Sequence, residues 1–189
     1  MKWTLDAHHS ELMFKVKHLM ITTVTGYFKK FSVSAETADE SYSKFSAIVV
    51  EADVNSVSTN NEHRDKHLKS ADFFDVAHYP TIIFTAQGFD DFAGNLLEGD
   101  LTIKGITKSI SLAVELNGIA TDMYGTAKAG FSVSGSLSRK EFGLTWNSVT
   151  ETGNVVLSDE VKFQAEIQLV KNDIAKQELQ LTDTNETAQ

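Results

Sequence analysis

The chain has 189 residues, 17 basic against 26 acidic, a formal net charge of −9, and no cysteine. The missing thiols exclude thiol catalysis, cysteine-ligated zinc, iron–sulfur clusters and a disulfide framework. The acidic balance predicts no nucleic-acid partner, because such binding draws its affinity from excess Lys and Arg. A composition of 41% apolar and 23% charged residues is that of an ordinary globular domain. At this length a compact fold buries roughly 70% of its unfolded surface and needs no metal staple. The longest apolar stretches, such as Ala47 to Val50, fall far short of the roughly 20 residues that span a bilayer, so no integral membrane segment is expected. Met1 to Asp6 opens without the apolar run of a signal peptide, which predicts the cytoplasm for the chain as written. A leader removed upstream would instead place it in the periplasm.

Alternation at period 2 dominates the chain and marks half-buried strands. Leu12, Phe14, Val16 and His18 share one face of the first run. Residues 25–37 form the second, and its apolar positions switch from even to odd between Phe28 and Phe31, which predicts a bulge. Residues 44–57 give Ile48, Val50, Ala52 and Val54. A capping box at Thr59 and Glu62 predicts one short helix over about 60–70. The aromatic, acidic stretch from Ser70 to Pro80 reads as a lid, with Phe73 and Phe74 as plugs. Strands follow at 81–89, 95–104, 108–117, 124–137 and 159–170, separated by turn chemistry at Asp91–Asn95 and a tight hairpin at Lys104-Gly105. Residues 1–171 form the barrel domain. Residues 172–189 form a polar tail, either a marginal helix or disordered.

Eight mostly hairpin-linked strands predict an all-β fold, an eight-stranded antiparallel barrel. Small residues recur on the inward faces at Gly26, Ala35, Ala52, Ala86, Gly99, Ala127, Ala129, Gly135 and Ala165. Small side chains leave room for a ligand inside such a barrel, so the interior is expected to be hollow and apolar.

Chemistry-bearing groups are few. His63 and His67 have the i,i+4 spacing of a zinc pair, but Arg64 stands where the general-base Glu of that motif belongs, so no metal is expected. Asp6, His8, His9 and Ser10 supply the ingredients of a triad without a nucleophile elbow. No phosphate-binding glycine loop occurs, so no nucleotide cofactor is expected. Arg139 ends the seventh strand, where it can meet a ligand head or an acid on the lid, such as Asp72 or Asp75. Phe142 and Trp146 are placed to line or cap the mouth.

Several ordered blocks carry a resemblance that covers residues 3–170. They are Trp3, Asp6 and His9-Ser10 with Phe14, Val16 and His18; Gly26-Tyr27-Phe28; Arg64 to Ser70 with Asp72-Phe73-Phe74-Asp75; Tyr79-Pro80; Gly99 to Gly105; and Arg139 with Phe142-Gly143-Leu144. Together they resemble the YceI-like family of polyisoprenoid-binding, lipocalin-like proteins. The resemblance implies a lipocalin-like barrel with a long apolar pore for isoprenoid, quinone-like or fatty-acyl chains. It also implies a homodimer and, for many members, secretion to the periplasm.

The function expected is non-enzymatic binding, storage or transport of a long apolar lipid, with that bound lipid and no other cofactor. The lining residues expected are Phe14, Val16, His18, Phe28, Ile82, Phe84, Leu101, Ile103, Leu112, Val114, Ala129, Phe131, Val133, Phe142, Trp146 and Phe163. Two alternatives remain open at this point: a barrel hydrolase or isomerase using His18 with Arg139 or a carboxylate, and a stress-response interaction module with a filled barrel.

Overall fold

The structure is a computed structural model that describes residues 1–37, 44–87, 89–90, 96–148 and 156–172. Its strands are β1 (Lys2–Leu5), β2 (Glu11–His18), β3 (Thr22–Phe28), β4 (Phe31–Thr37), β5 (Lys44–Asp53), β6 (Val57–Ser58), β7 (Thr81–Ala86), β8 (Phe89–Asp90), β9 (Leu96–Ile103), β10 (Ile106–Thr121), β11 (Ala127–Ser138) and β12 (Leu157–Asn172). One α-helix, α1 (Glu62–Lys69), lies between β6 and β7. Neighbouring strands pair antiparallel in the order β1-β4-β5-β7-β9-β10-β11-β12, and β1 pairs back onto β12, which closes a ring of eight. β2 and β3 continue the positions of β1 and β4 toward the α1 end, with β6 added beside β3. The fold is therefore an eight-stranded closed antiparallel barrel with one short helix.

Two of the eight positions are broken, and both breaks have local causes. The predicted bulge in residues 25–37 is a corner instead. β3 pairs with β2 and β6, β4 pairs with β1 and β5, and the chain turns at Lys29-Lys30 between them. The parity switch from Phe28 to Phe31 was the mark of two strands, since a corner also resets which residues face inward. The other break is a 3-10 turn, Ala7–His9, between β1 and β2. Asp6 clamps it. Its carboxylate accepts from His8 N at 3.2 Å, Gln168 Nε2 at 2.8 Å and Lys128 Nζ at 3.3 Å, and pairs with His9 Nδ1 at 3.0 Å. The interruption is thus tied to β11 and β12.

The hairpin at Lys104-Gly105 is as tight as expected: Ile103 opposes Ile106, and both turn residues have positive φ, 51° and 73°. That backbone twist matches the twist of the strands, and glycine takes it without a Cβ penalty. Helix α1 begins two residues later than the capping box predicts. Asn61 is the N-cap, its side chain accepting from Arg64 N at 2.9 Å. The Thr59 hydroxyl instead donates to Asp65 at 2.5 Å, and Asp65 also accepts from Thr59 N. Eight residues are too few to hold a helix in water. Acidic Glu62 and Asp65 at its start and Lys66, His67 and Lys69 at its end suit the helix dipole. Leu68 anchors it against the core. The hairpin Asp91–Asn95 and the tail beyond Asn172 lie outside the described residues.

The Asp6 clamp has a pH signature. Burial pushes its carboxyl up, but the hydrogen bonds from His9, Lys128 and Gln168 and the His9 charge outweigh it and hold the pKa at about 2, below 3.8. A depressed carboxylate pKa stabilises the fold above the unfolded value and loses that contribution as pH falls through the folded value. Asp6→Asn should therefore cost about 2 kcal/mol near neutral pH, and its deficit against the wild type should narrow between about pH 4 and pH 2. Urea unfolding across that range checks it; a constant deficit would show that the carboxylate charge is not what holds the turn.

Candidate functional site

The inward faces of the ring enclose one elongated cavity of ≈ 640 Å³. Its wall is almost wholly apolar. Fourteen of the sixteen predicted residues line it: Phe14, Val16, His18, Phe28, Ile82, Phe84, Leu101, Ile103, Leu112, Val114, Phe131, Val133, Trp146 and Phe163. The two exceptions, Ala129 and Phe142, are each buried to 1% but lie outside the wall. Ala129 opposes Leu169 and Ile119 near the β1 end and belongs to the same buried core as Trp3. Alternation reports its buried face but not whether so small a side chain reaches the lumen. Phe142 lies in the 3-10 turn Arg139–Phe142 and packs into the core behind the wall.

The cavity survives because three phenylalanine rings fold back onto glycines. A Cβ at Gly26 would lie 2.2 Å from the tip of Phe14, at Gly99 2.4 Å from Phe84, and at Gly135 2.5 Å from Phe163. Gly26 opposes Phe14, and Gly135 opposes Phe163, in strand register. Each ring thus occupies the space of a missing side chain on the neighbouring strand rather than the lumen, an aromatic cover over a strand glycine. The inward small residues leave room indirectly, as seats for rings.

Toward the β1 end Trp3, only 2% exposed, packs in the core beside the wall residue Ala35, and its Nε1 donates to Thr37 Oγ1 at 3.3 Å. At the other end the cavity is covered by α1 and the segment after it. Phe73 packs at 5.1 Å (centroid to centroid) from Trp146 and 5.0 Å from His67, and Phe74 packs edge-on to Phe28 at 6.0 Å. Both plugs therefore sit where the sequence puts them, and both line the cavity. The segment folds back on α1, with Phe74 N donating to Leu68 O and Val76 N to Lys69 O, so helix carbonyls are satisfied.

The polar lining residues are His18, Thr22, Thr59, Arg64, His67 and Arg139. Arg139 is buried to 3% and does not meet Asp72 or Asp75 as expected. It donates from Nε to Ser158 O at 2.9 Å and from Nη1 to Leu144 O at 2.6 Å and Trp146 O at 2.7 Å, while Nη2 faces Asp159 Oδ1 at 3.6 Å. It therefore stitches the Leu144–Trp146 stretch to β12. Burial lowers its pKa, opposed by the Asp159 charge. Asp72 and Asp75 serve histidines instead, His67 Nε2 at 2.9 Å and His78 Nδ1 at 3.0 Å.

Other ingredients singled out in the sequence do not converge. Ser10 Oγ accepts from Gln168 N at 2.9 Å, while His9 pairs with Asp6, so the triad ingredients are used to pin the turn. His67 faces Asp72 and the rings of Phe73 and Trp146, and His63 is exposed. Arg64, His67 and Thr59 were missed as lining residues because α1 reads as polar throughout. The available signal was Leu68: Arg64 lies one helical turn before it and His67 beside it.

Between β1–β4 and β2–β3 the barrel wall has no ladder from Leu5 to Leu12. A groove of ≈ 610 Å³ lies outside this seam, and Leu12, Phe28 and Phe31 line both it and the main cavity.

The glycine seats yield a structural test. In Gly135→Ala the new methyl should push the Phe163 ring into the lumen, which has space for it, at a cost within about 1 kcal/mol. A crystal structure of the variant should show the ring swung inward and the cavity reduced. An unmoved ring with a displaced strand would refute the seat.

The YceI-like domain family model matches residues 3–169. A curated relative, UPF0312 protein SA2479 of Staphylococcus aureus, is 39% identical over 166 residues, which cover 86% of this chain and 94% of that one. The crystal structure of the Campylobacter jejuni YceI protein is similar at TM-score 0.71 and 33% identity, covering 84% of this chain and 91% of that one. A polyisoprenoid-binding domain from Saccharophagus degradans shares the fold at TM-score 0.68 and 17% identity, covering 88% and 97%. A family match over nearly the whole barrel, with a relative of this identity and coverage, means that the chain belongs to the YceI-like family.

Proposed function

We propose that the protein binds a long apolar chain, an isoprenoid or fatty-acyl amphiphile, non-covalently inside the barrel. The observation that carries this reading is the ≈ 640 Å³ cavity, whose many apolar wall residues outnumber six polar ones. The physics is that of transfer from water: each buried CH₂ contributes roughly 0.8 kcal/mol, so ten methylenes offer about 8 kcal/mol before ordering costs are subtracted. Such a wall selects by length and width, and a few polar groups fix the direction of entry. The Saccharophagus domain, named for polyisoprenoid binding, supports the same ligand class here. Storage and transport are two uses of one cavity, separated only by how fast the chain exchanges. The hydrolase alternative has less support, because Arg139 is committed to three backbone carbonyls and Ser10 to β12.

Organic extraction of the purified protein followed by mass spectrometry should yield an isoprenoid or acyl species near one per chain, or the emptied protein should take up added farnesol. Val133→Trp, which inserts an indole into the lumen, should lower that uptake at least tenfold. Clean extracts together with no uptake would overturn the proposal. Turnover of a long-chain ester that disappears in a folded His18→Ala variant would favour the hydrolase.

A further inference from the structure

The cavity wall is electrically one-sided. The chain carries 26 acidic residues against 17 basic, yet among the described residues the charged or chargeable groups on the wall are Arg64, Arg139, His18 and His67, with no Asp or Glu. These four groups gather at the α1 end. His18 opposes Leu157 in register, and the next carbonyl, that of Ser158, accepts from Arg139 Nε. Arg139 Nη1 holds the carbonyl of Trp146, whose ring stands edge-on to His67 at 4.9 Å. Arg64 precedes His67 by three residues on α1 and so shares its face.

The carboxylates nearby are turned away from the lumen and engaged. Asp159 pairs with Arg139 and, at 2.8 Å, with Lys140; Asp72 pairs with His67; Asp65 accepts from Thr59. Acids on the outside and cations on the inside of one end orient the field toward a negative guest. The wall's charged and imidazole groups divide into committed and open ones. Arg139 spends Nε and Nη1 on carbonyls, while its buried Nη2 has no hydrogen-bond partner among the described residues and faces Asp159 only at 3.6 Å. Arg64, an exposed residue whose side chain reaches the wall, spends Nε and Nη2 on Thr59, at 2.7 and 3.0 Å, and its Nη1 has no partner among the described residues. The His18 imidazole has no hydrogen-bond partner among the described residues although it is half-buried on the wall.

Resting on the reading of the barrel as a lipid site, we infer that its α1 end recognises an anionic, oxygen-rich head, a phosphate or a carboxylate, through His18 and Arg64. The apolar tail then runs toward the β1 end, past wall residues such as Ala35 and Leu169. Charge-assisted hydrogen bonds to such a head are the strong ones, and they select it over an uncharged alcohol on the same chain.

The test compares farnesyl phosphate, farnesol and inorganic phosphate as ligands of the full, delipidated chain by calorimetry. Wild type should bind farnesyl phosphate about tenfold or more tighter than farnesol. It should show no binding of inorganic phosphate at millimolar concentration. In His18→Gln/Arg64→Gln the ratio of the two farnesyl affinities should fall to near one, and Arg64→Lys, which keeps the charge, should restore part of it. Near-UV circular dichroism confirms that each variant is folded; if the double variant is not, the single His18→Gln carries the comparison. Equal binding of the two farnesyl ligands by wild type overturns the head site and leaves the barrel reading intact. A ratio unchanged in the folded variants overturns the assignment to these two residues. Inorganic phosphate binding as tightly as farnesyl phosphate overturns the lipid head in favour of a free anion. Uptake of neither farnesyl ligand overturns the barrel reading and this inference together.

Discussion

The four-residue strand β1 hydrogen-bonds on both sides, to β4 and to β12, and this short ladder turns a curved sheet into a tube. Closure fixes which residues can meet. Once the ring is shut, every second residue of eight strand positions must share one lumen, and large side chains at all of them would fill it. The chain resolves the crowding by pairing large with absent. Phe14, Phe84 and Phe163 lie over Gly26, Gly99 and Gly135, so the bulk of each ring is taken up along the wall. An eight-stranded barrel of this kind can be apolar, closed and hollow at once. β1 also brings Trp3, one of the largest fully buried side chains, into the core at that closure.

Much of this was legible in the sequence, because a strand in a closed barrel has one wet and one dry face and alternation reports it directly. The eight strand positions, the tight turn at Lys104-Gly105, the lid aromatics Phe73 and Phe74 and most of the lining follow from that period. What alternation does not report is whether a buried residue reaches the lumen. Ala129 has the right parity and is buried, yet it is not part of the cavity wall, although Leu169 opposite it is. It also does not separate a bulge from a corner, since both shift parity by one; Phe28 and Phe31 belong to strands with different partners.

The polar end was less legible for a different reason. A lone polar residue in a hydrophobic pattern stands out, and His18 did. A polar residue in a polar helix does not. Arg64 and His67 lie in α1, where nearly every side chain is charged, and only the tertiary placement of Leu68 against the core turns that face toward the lumen. Arg139 illustrates the converse. An arginine near a barrel mouth invites a reading as a ligand contact, yet three backbone carbonyls within 3 Å take its Nε and Nη1 donors. Backbone acceptors are invisible in a sequence, because every residue carries one.

The two ends of the cavity therefore carry different kinds of information. The apolar wall would discriminate weakly between guests, because one methylene more or less changes burial by only about 0.8 kcal/mol. The α1 end discriminates sharply, because a donor desolvated at a lumen wall and left without an acceptor costs about 1–3 kcal/mol, and more if charged. A guest that is apolar throughout would leave the half-buried His18 without an acceptor while filling the rest of the tube well. On the inference drawn above, a guest with a polar head would satisfy both demands in one orientation only, head toward α1 and tail toward the β1 end. The tube's length then limits the tail, and the chemistry of one end decides which tails are admitted.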